Sequence, residues 1–363
     1  MSKSNLDYVL FLIIFALSSI GAIMVFSASP TMGMSIGDSF LYLKKHIFHL
    51  LLGFTAMGFA LKINYREYSR FAFPLALLGV LSLFLVFVPG IGKEAGGAMR
   101  WIDLGFISFQ PSEIMKFLIV LLGASVLSQD NKKLSDVLLL FLLIIVSSLL
   151  ILKQPDLGTV VIIIAISFVL FFVSGLNPKF LFSAFFLFVI AMIAGILSSP
   201  YRTKRLIAFL NPWKYREDIG FHIVQSLLAV GSGGILGLGL GASKQKFFYL
   251  PSQYTDFIYA ILCEELGFIG GIGVIILFIL LVVRGMRVAK FADDRFGALL
   301  ATGLTSWIAL QALINISVVL GLIPTTGIPL PFISFGGTST VLTLFSMGII
   351  LNISKSGGSL REA

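Results

Sequence analysis

Charge is what this sequence has least of: only 12% of its 363 residues are Asp, Glu, Lys or Arg. A soluble domain carries about 25%. With so few polar groups the chain cannot cover a water-soluble globule. Its 58% hydrophobic content and mean hydropathy of +1.03 suit a lipid environment instead. Cysteine is nearly absent, and a lone Cys263 excludes an internal disulfide. Histidine is scarce too. His46, His49 and His222 do not pair with Cys or carboxylate at metal-ligand spacing, and no HExxH occurs. No metal site and no tightly bound cofactor is expected. There is no GxGxxG or GxxxxGK[ST] loop for nucleotides and no GxSxG elbow for a serine hydrolase. Repeats and low-complexity stretches are also missing, so residues 1–363 are expected to form a single transmembrane domain.

What the sequence does have is long apolar runs. A membrane span needs about 20 such residues. Ten segments qualify, at about 7–28, 46–62, 71–88, 111–128, 136–152, 158–175, 179–198, 258–283, 297–320 and 334–353. The predicted fold is therefore all-α, a polytopic integral membrane protein with about ten spans. Pro and Gly punctuate the boundaries, as at Pro89-Gly90, Gln110-Pro111 and Gln154-Pro155. The first run, Tyr8 to Val25, resembles a signal peptide ending at Ser27-Ala28-Ser29. Its length and its weakly charged start favour a retained helix.

Lys and Arg set the orientation. With the N-terminus in the cytoplasm, the inside connections hold 13 cations and the short outside ones hold 6. The positive-inside rule then places both termini in the cytoplasm. The remaining seven (Arg202, Lys204, Arg205, Lys214, Arg216, Lys244 and Lys246) lie in one long outer loop, about 199–257, between spans seven and eight. Long loops translocate whatever their charge. The same cations also suit an anion-binding outer surface. This loop holds Gly231-Ser232-Gly233-Gly234-Ile235-Leu236-Gly237-Leu238-Gly239-Leu240-Gly241, six glycines in eleven residues. Glycine permits close backbone approach, so a segment packed onto the bundle is expected. Next comes Ser243-Lys244-Gln245-Lys246-Phe247-Phe248-Tyr249, cations mixed with aromatics, as at a headgroup surface.

Few ionisable residues fall near the spans, and each has a plain reading beside a chemical one. Asp256 stands at the outer mouth of span eight. It could cap the helix, or serve as a general base with its pKa raised by partial burial. Asp156 opens span six after Pro155, where capping accounts for it well. Glu113 and Lys116 lie three residues apart and share one face of span four. Either they form a local pair near the headgroups, or they mark a functional interior. Glu264 and Glu265 lie two turns into span eight, where at least one must face inward.

Several motifs together resemble one family. Gly97-Ala98-Met99-Arg100-Trp101-Ile102 with Gln110-Pro111-Ser112-Glu113 is similar to the SEDS family of FtsW, RodA and SpoVE. So are Gln154-Pro155-Asp156-Leu157-Gly158-Thr159, Gln225-Ser226, Thr255-Asp256-Phe257-Ile258 with Glu264-Glu265-Leu266-Gly267, and Pro329-Leu330-Pro331-Phe332-Ile333-Ser334 before Gly336-Gly337. The matches occur in order along most of the chain. Where the family often reads Pro-Glu-x-His-Thr-Asp, Ser252 and Tyr254 stand here, so neither position is essential to the chemistry. The Ser243–Pro251 stretch resembles the FtsW and SpoVE branch, whereas Thr326, where some FtsW members carry Lys, and Gly327-Ile328-Pro329-Leu330-Pro331 are nearer RodA; the balance favours FtsW.

The resemblance implies a peptidoglycan glycosyltransferase that polymerises lipid II at the outer face of the bacterial cytoplasmic membrane. The family's essential aspartate falls on Asp256, and its cavity-lining pair on Glu113 and Lys116. Arg100, Arg202, Arg205, Lys244, Lys246 and Asp156 complete the expected substrate-binding set. A class B penicillin-binding protein is the implied partner, and a divalent cation could assist at the pyrophosphate. A lipid II flippase or a non-catalytic scaffold would fit ten spans as well. The candidate carboxylates gather at one mouth rather than at mid-membrane, which favours chemistry at one face.

Overall fold

The computed structural model describes residues 6–34, 37–95, 98–103, 105, 108–131, 133–197, 199–246 and 250–356. Gly97, Phe247, Phe248 and Tyr249 of the sequence motifs lie outside the described residues, as do Lys3, Lys132 and Arg361 of the cation count.

The described residues form helices and one small sheet joined by loops. In order it forms α1 (Tyr8–Ala28), a short α2 (Pro30–Met34), α3 (Leu41–Lys62), α4 (Glu67–Leu85), α5 (Pro111–Leu127), α6 (Leu134–Lys153) and α7 (Leu157–Val173). Then follow α8 (Pro178–Leu197), α9 (Pro200–Leu210), α10 (Phe221–Ser232), α11 (Ile258–Lys290), α12 (Arg295–Val319) and α13 (Gly337–Ser356). Ten of these occupy the ten segments expected from hydropathy. Six of them (α1, α4, α6, α11, α12 and α13) are both long and apolar enough to cross a membrane. α5 and α7 have 17 residues each, and α3 opens with Lys44, Lys45 and His46. Helix ends outrun the apolar runs where good helix formers continue. α11 extends through Arg284, Arg287 and Lys290, whose charges favour a helix C-terminus.

Pro111 sits in the first turn of α5, where its missing N–H is not needed. α5, α12 and α13 make up the interior, while α4 and α8 expose Leu77, Leu78, Leu81, Phe182 and Phe186 at the periphery.

Hydropathy did not predict the sheet, because its strands, of four, six and two residues, are too short to show a period. Strands β1 (Gly92–Ala95), β2 (Ala98–Asp103) and β3 (Ser108–Phe109) pair antiparallel in the order β1-β2-β3 between α4 and α5. β2 carries Arg100 into the bundle mouth.

The chain's connections sort to two ends. At one, the Asp7 N–H donates to Ser354 Oγ (3.3 Å) and the Tyr65 N–H to Asn352 Oδ1 (3.0 Å), so the first and last described helices end together. We call this the terminal end. The sheet, α9, α10 and the loops before α7, α11 and α13 gather at the other, the loop end.

At the loop end the glycine-rich segment packs against a break in α11. Gly267 has φ +66° and ψ −165°, which interrupts the helix. The carbonyls freed there accept the N–H groups of Leu238 (to Glu264 O, 3.0 Å) and Gly239 (to Glu265 O, 3.0 Å). A Cβ at Gly237 would lie 2.2 Å from Glu265 O, and one at Gly267 would lie 2.3 Å from Gly237 N. Backbone meets backbone at both positions, so only glycine fits. This is the packed segment that the run of glycines predicted.

Candidate active site

Asp256 is where the loop end concentrates its chemistry. Four aspartates stand just before a helix, and three of them cap it. Asp7 accepts from the Leu10 N–H (2.9 Å), Asp156 from the Thr159 N–H (3.0 Å), and Asp294 from the Gly297 N–H (2.7 Å). Asp256 does not. The N-cap of α11 is Phe257, and no side chain caps it. The capping alternative for Asp256 is therefore excluded, while for Asp156 it is correct. No hydrogen bond reaches the Asp256 carboxylate among the described residues. A carboxylate held without a structural task, partly buried at a mouth, is available for chemistry.

Its surroundings adjust its proton affinity. Burial raises the Asp256 pKa to about 6; Arg100 pulls it down, Asp156 pushes it up, and Arg205 pulls it down. Arg100, Asp156 and Arg205 thus stand within electrostatic reach of Asp256. Gly327 lies close by, where an added Cβ would sit 3.6 Å from Oδ2.

Both arginines donate to backbone carbonyls. Arg100 donates from Nε to Gln154 O (2.9 Å) and from Nη2 to Pro155 O (2.6 Å). Arg205 Nη1 donates to Thr325 O (3.1 Å). Arg202 follows the same pattern, with Nη1 to Gly195 O (2.8 Å) and Nη2 to Leu152 O (3.1 Å). Guanidiniums anchored on backbone carbonyls keep their positive charge available to an anion. Asp156 also receives the Thr159 hydroxyl (2.8 Å) and Gln110 Nε2 (3.5 Å).

A cleft opens beside this cluster between α7, α8, α9 and α12. Leu157, Val161, Met192, Leu206 and Ile314 line it, and Arg202 and Arg205 form its charged wall. Arg205 serves both the cleft and Asp256.

The remaining expected residues lie elsewhere. Lys116 and Glu113 pair at 2.6 Å and are almost fully enclosed, at 1% and 3% exposed. Lys116 Nζ also donates to Gln311 Oε1 (2.7 Å) and lies 5.4 Å from the Trp307 ring centroid. They form a buried pair rather than lining an open surface. Lys246 pairs with Glu265 (3.3 Å), whose carboxylate also takes the Ser27 hydroxyl at 2.6 and 2.7 Å. Glu264 accepts the Ser243 hydroxyl and the Lys244 N–H. Both glutamates therefore face inward and hold the outer loop, and the Lys244 side chain is exposed. The structure does not bring Lys244 or Lys246 into the Asp256 cluster. Among the described residues, no group of three or more His, Cys, Asp or Glu gathers as a metal cage.

Two amides were missed in the sequence. Gln311 and Asn315 lie one turn apart on α12. Gln311 takes Lys116 and the Trp307 indole N–H (2.9 Å), and donates to Pro329 O (3.0 Å). Asn315 Nδ2 donates to both Asp256 O and Ile328 O (2.7 Å each). Two amides at i, i+4 in an apolar span were the available signal.

Residues 8–358 match the model of the FtsW, RodA and SpoVE proteins, described as cell cycle proteins. A probable peptidoglycan glycosyltransferase FtsW of Geobacter sulfurreducens is 42% identical over 353 residues, 96% of this chain and 95% of that protein. The stage V sporulation protein E of Bacillus subtilis is 41% identical over 358 residues, 97% and 98% of the two chains. Among solved structures, a chain of a peptidoglycan synthase complex that coordinates polymerization and crosslinking superposes with a TM-score of 0.81 at 27% identity. It covers 96% of this chain and 98% of that one. The rod shape determining protein RodA of Thermus thermophilus superposes with a TM-score of 0.72 at 26% identity, over 97% and 98%.

Proposed function

The chain belongs to the FtsW/RodA/SpoVE family of cell cycle proteins, and from that premise we propose that it polymerises lipid II with Asp256 as general base. It is a multi-pass membrane protein and a peptidoglycan glycosyltransferase. The observation that carries the site assignment is the Asp256 carboxylate beside Arg100 and Arg205, which caps no helix and takes no hydrogen bond among the described residues.

The acceptor is the GlcNAc 4-hydroxyl of lipid II. Its oxygen attacks the anomeric carbon of the donor sugar, and its proton passes to the Asp256 carboxylate. The new glycosidic bond forms as the bond to pyrophosphate breaks, and undecaprenyl pyrophosphate leaves with the electron pair. Attack opposite the leaving group inverts the α linkage to β. General-base assistance of this kind contributes about 10²–10⁴ in rate. With a pKa of about 6, Asp256 is mostly ionised at pH 7 and still basic enough to take a proton. Arg100, Arg205 and Arg202 meet the charge that grows on the pyrophosphate, and a divalent cation escorting it would meet Asp156 and Asp256. The apolar cleft beside Arg205 receives a polyprenyl tail. Glu113 and Lys116 support the site from beneath through Gln311, and Lys246 secures the outer loop.

In this reading the loop end faces outward from the bacterial cytoplasmic membrane and both termini are cytoplasmic. The distribution of 13 cations against 6 supports that orientation. The partner is a class B penicillin-binding protein, because a structural relative belongs to a complex that couples polymerization to crosslinking. The wall made serves division or elongation.

The test uses purified protein, labelled lipid II and a penicillin-binding partner lacking its transpeptidase serine. Glycan polymer from the native chain, and none from Asp256→Ala, is expected. No polymer from either, with labelled lipid II crossing liposome membranes, would overturn the reading in favour of a transporter.

A further inference from the structure

The backbone leading to Asp256 is held in an unusual way. Three consecutive carbonyls, those of Tyr254, Thr255 and Asp256, each accept a donor from α12 or the α12–α13 loop. The Phe335 N–H reaches Tyr254 O at 2.9 Å. The Ser334 hydroxyl reaches Thr255 O at 2.6 Å. Asn315 Nδ2 reaches Asp256 O at 2.7 Å. These residues precede α11 and belong to no helix, so no regular ladder provides the bonds.

The donors are themselves fixed. Ser334 is 3% exposed, and its Oγ accepts the Leu330 N–H at 2.7 Å, which orients its own hydrogen toward Thr255. Asn315 is 1% exposed and also donates to Ile328 O at 2.7 Å. One turn earlier Gln311 holds Pro329 O, so α12 grips the loop at two successive carbonyls. The α12–α13 loop therefore acts as a splint between α12 and the Asp256 segment.

We propose that Asn315 and Ser334 are positioning residues that set where the Asp256 carboxylate stands, through the carbonyls of Thr255 and Asp256. The inference rests on the reading of Asp256 as the base. Neither residue touches substrate. A base must lie within hydrogen-bond reach of the proton it takes, and a displacement of about 1 Å can cost about 100-fold in rate. Among the described residues no hydrogen bond holds the Asp256 carboxylate, so its backbone is what fixes it. Substrate affinity resides elsewhere, in the cleft and the arginines.

The experiment measures steady-state polymerisation of lipid II by the full chain with its transpeptidase partner, for Asn315→Leu, Ser334→Ala, Ser334→Thr and Asp256→Ala. Asn315→Leu and Ser334→Ala should lower kcat by about 10- to 100-fold with KM within about twofold. Their acid limb should depart from the native midpoint, because that midpoint depends on the burial of Asp256 in its present place. Ser334→Thr keeps the hydroxyl and should retain most of kcat. Should Asn315→Leu fail to insert, the Ser334 pair decides alone. Native kcat and an unmoved acid limb in Ser334→Ala, with Asp256→Ala inactive, would overturn the splint and leave the base intact. A loss confined to protein amount or thermal stability would also overturn it. Activity in Asp256→Ala would overturn the base itself.

Discussion

At the terminal end of the bundle, Asp7 meets Arg284 at 2.8 Å, and Asp294 meets Arg66 at 2.6 Å and the Tyr65 hydroxyl at 2.7 Å. At the loop end, Arg100 and Arg205 donate to carbonyls, and among the described residues no hydrogen bond reaches the Asp256 carboxylate. One residue type, placed just before a helix in each case, serves two purposes. At the terminal end the aspartates cap, pair and fasten connections. Around Asp256 at the loop end, two arginines that donate to backbone carbonyls stand within electrostatic reach of a carboxylate that caps no helix. That arrangement does nothing for stability, since a buried carboxylate without a partner is costly. It is what a site needs if its partner is to be a substrate.

The strongest way to break this comparison is to exchange the roles. Asp256→Ala should lower polymerisation by about 10²–10⁴, with insertion and thermal unfolding unimpaired, as read on a glycan gel and a detergent melt. Asp294→Ala should do the reverse. It removes a cap and leaves Tyr65 and Arg66 without their acceptor, a loss of about 2–4 kcal/mol in stability. Activity per folded molecule should hold. A catalytic defect in Asp294→Ala as deep as that of Asp256→Ala would erase the distinction between the two ends.

A smaller effect sharpens the energetic half of the comparison. The folded-state pKa of Asp256, about 6, lies above the unfolded value near 3.9. The folded protein therefore prefers the neutral acid, and ionisation above about pH 6 costs stability. Asp256→Asn is neutral at every pH. It should be more stable than the native chain at pH 7–8, by about 1–2 kcal/mol after allowing for solvent at the partly exposed carboxylate. The gain should fade as pH falls through 6 and vanish near 4. A native chain that melts higher than Asp256→Asn at pH 8 would mean that the carboxylate has a structural partner after all.

How much of this was legible in the sequence depends on the kind of signal. The ten helices were, because apolar runs end at prolines, glycines and cations. The break at Gly267 was not: it interrupts one continuous apolar run and depends on Gly237 approaching from another segment. The sheet carrying Arg100 was hidden by its short strands. At the site, Asp156 and Asp256 look alike in sequence, each just before a helix. Only three-dimensional placement shows that one caps and the other does not. The resemblance singled out Asp256, but not the amides Gln311 and Asn315, whose partners are backbone carbonyls and leave no pattern.

The smallest predicted effect separates charge from hydrogen bonding at the loop end. Arg100 favours the ionised form of Asp256 by its charge and fastens the Gln154–Pro155 turn by its donors. Arg100→Met removes both. The charge loss should raise the acid-limb midpoint above about 6 by a fraction of a pH unit. Activity at pH 6.5 should then drop more than activity at pH 8. Arg100→Lys restores the charge but not the planar fork. Its midpoint should return toward the native value, and any remaining deficit should be the same at both pH values. Lys244, whose side chain is exposed and whose backbone N–H donates to Glu264, provides the control. Lys244→Ala should leave the profile in place. If it shifts the acid limb as far as Arg100→Met does, the field at Asp256 comes from the outer loop as a whole rather than from its two anchored arginines.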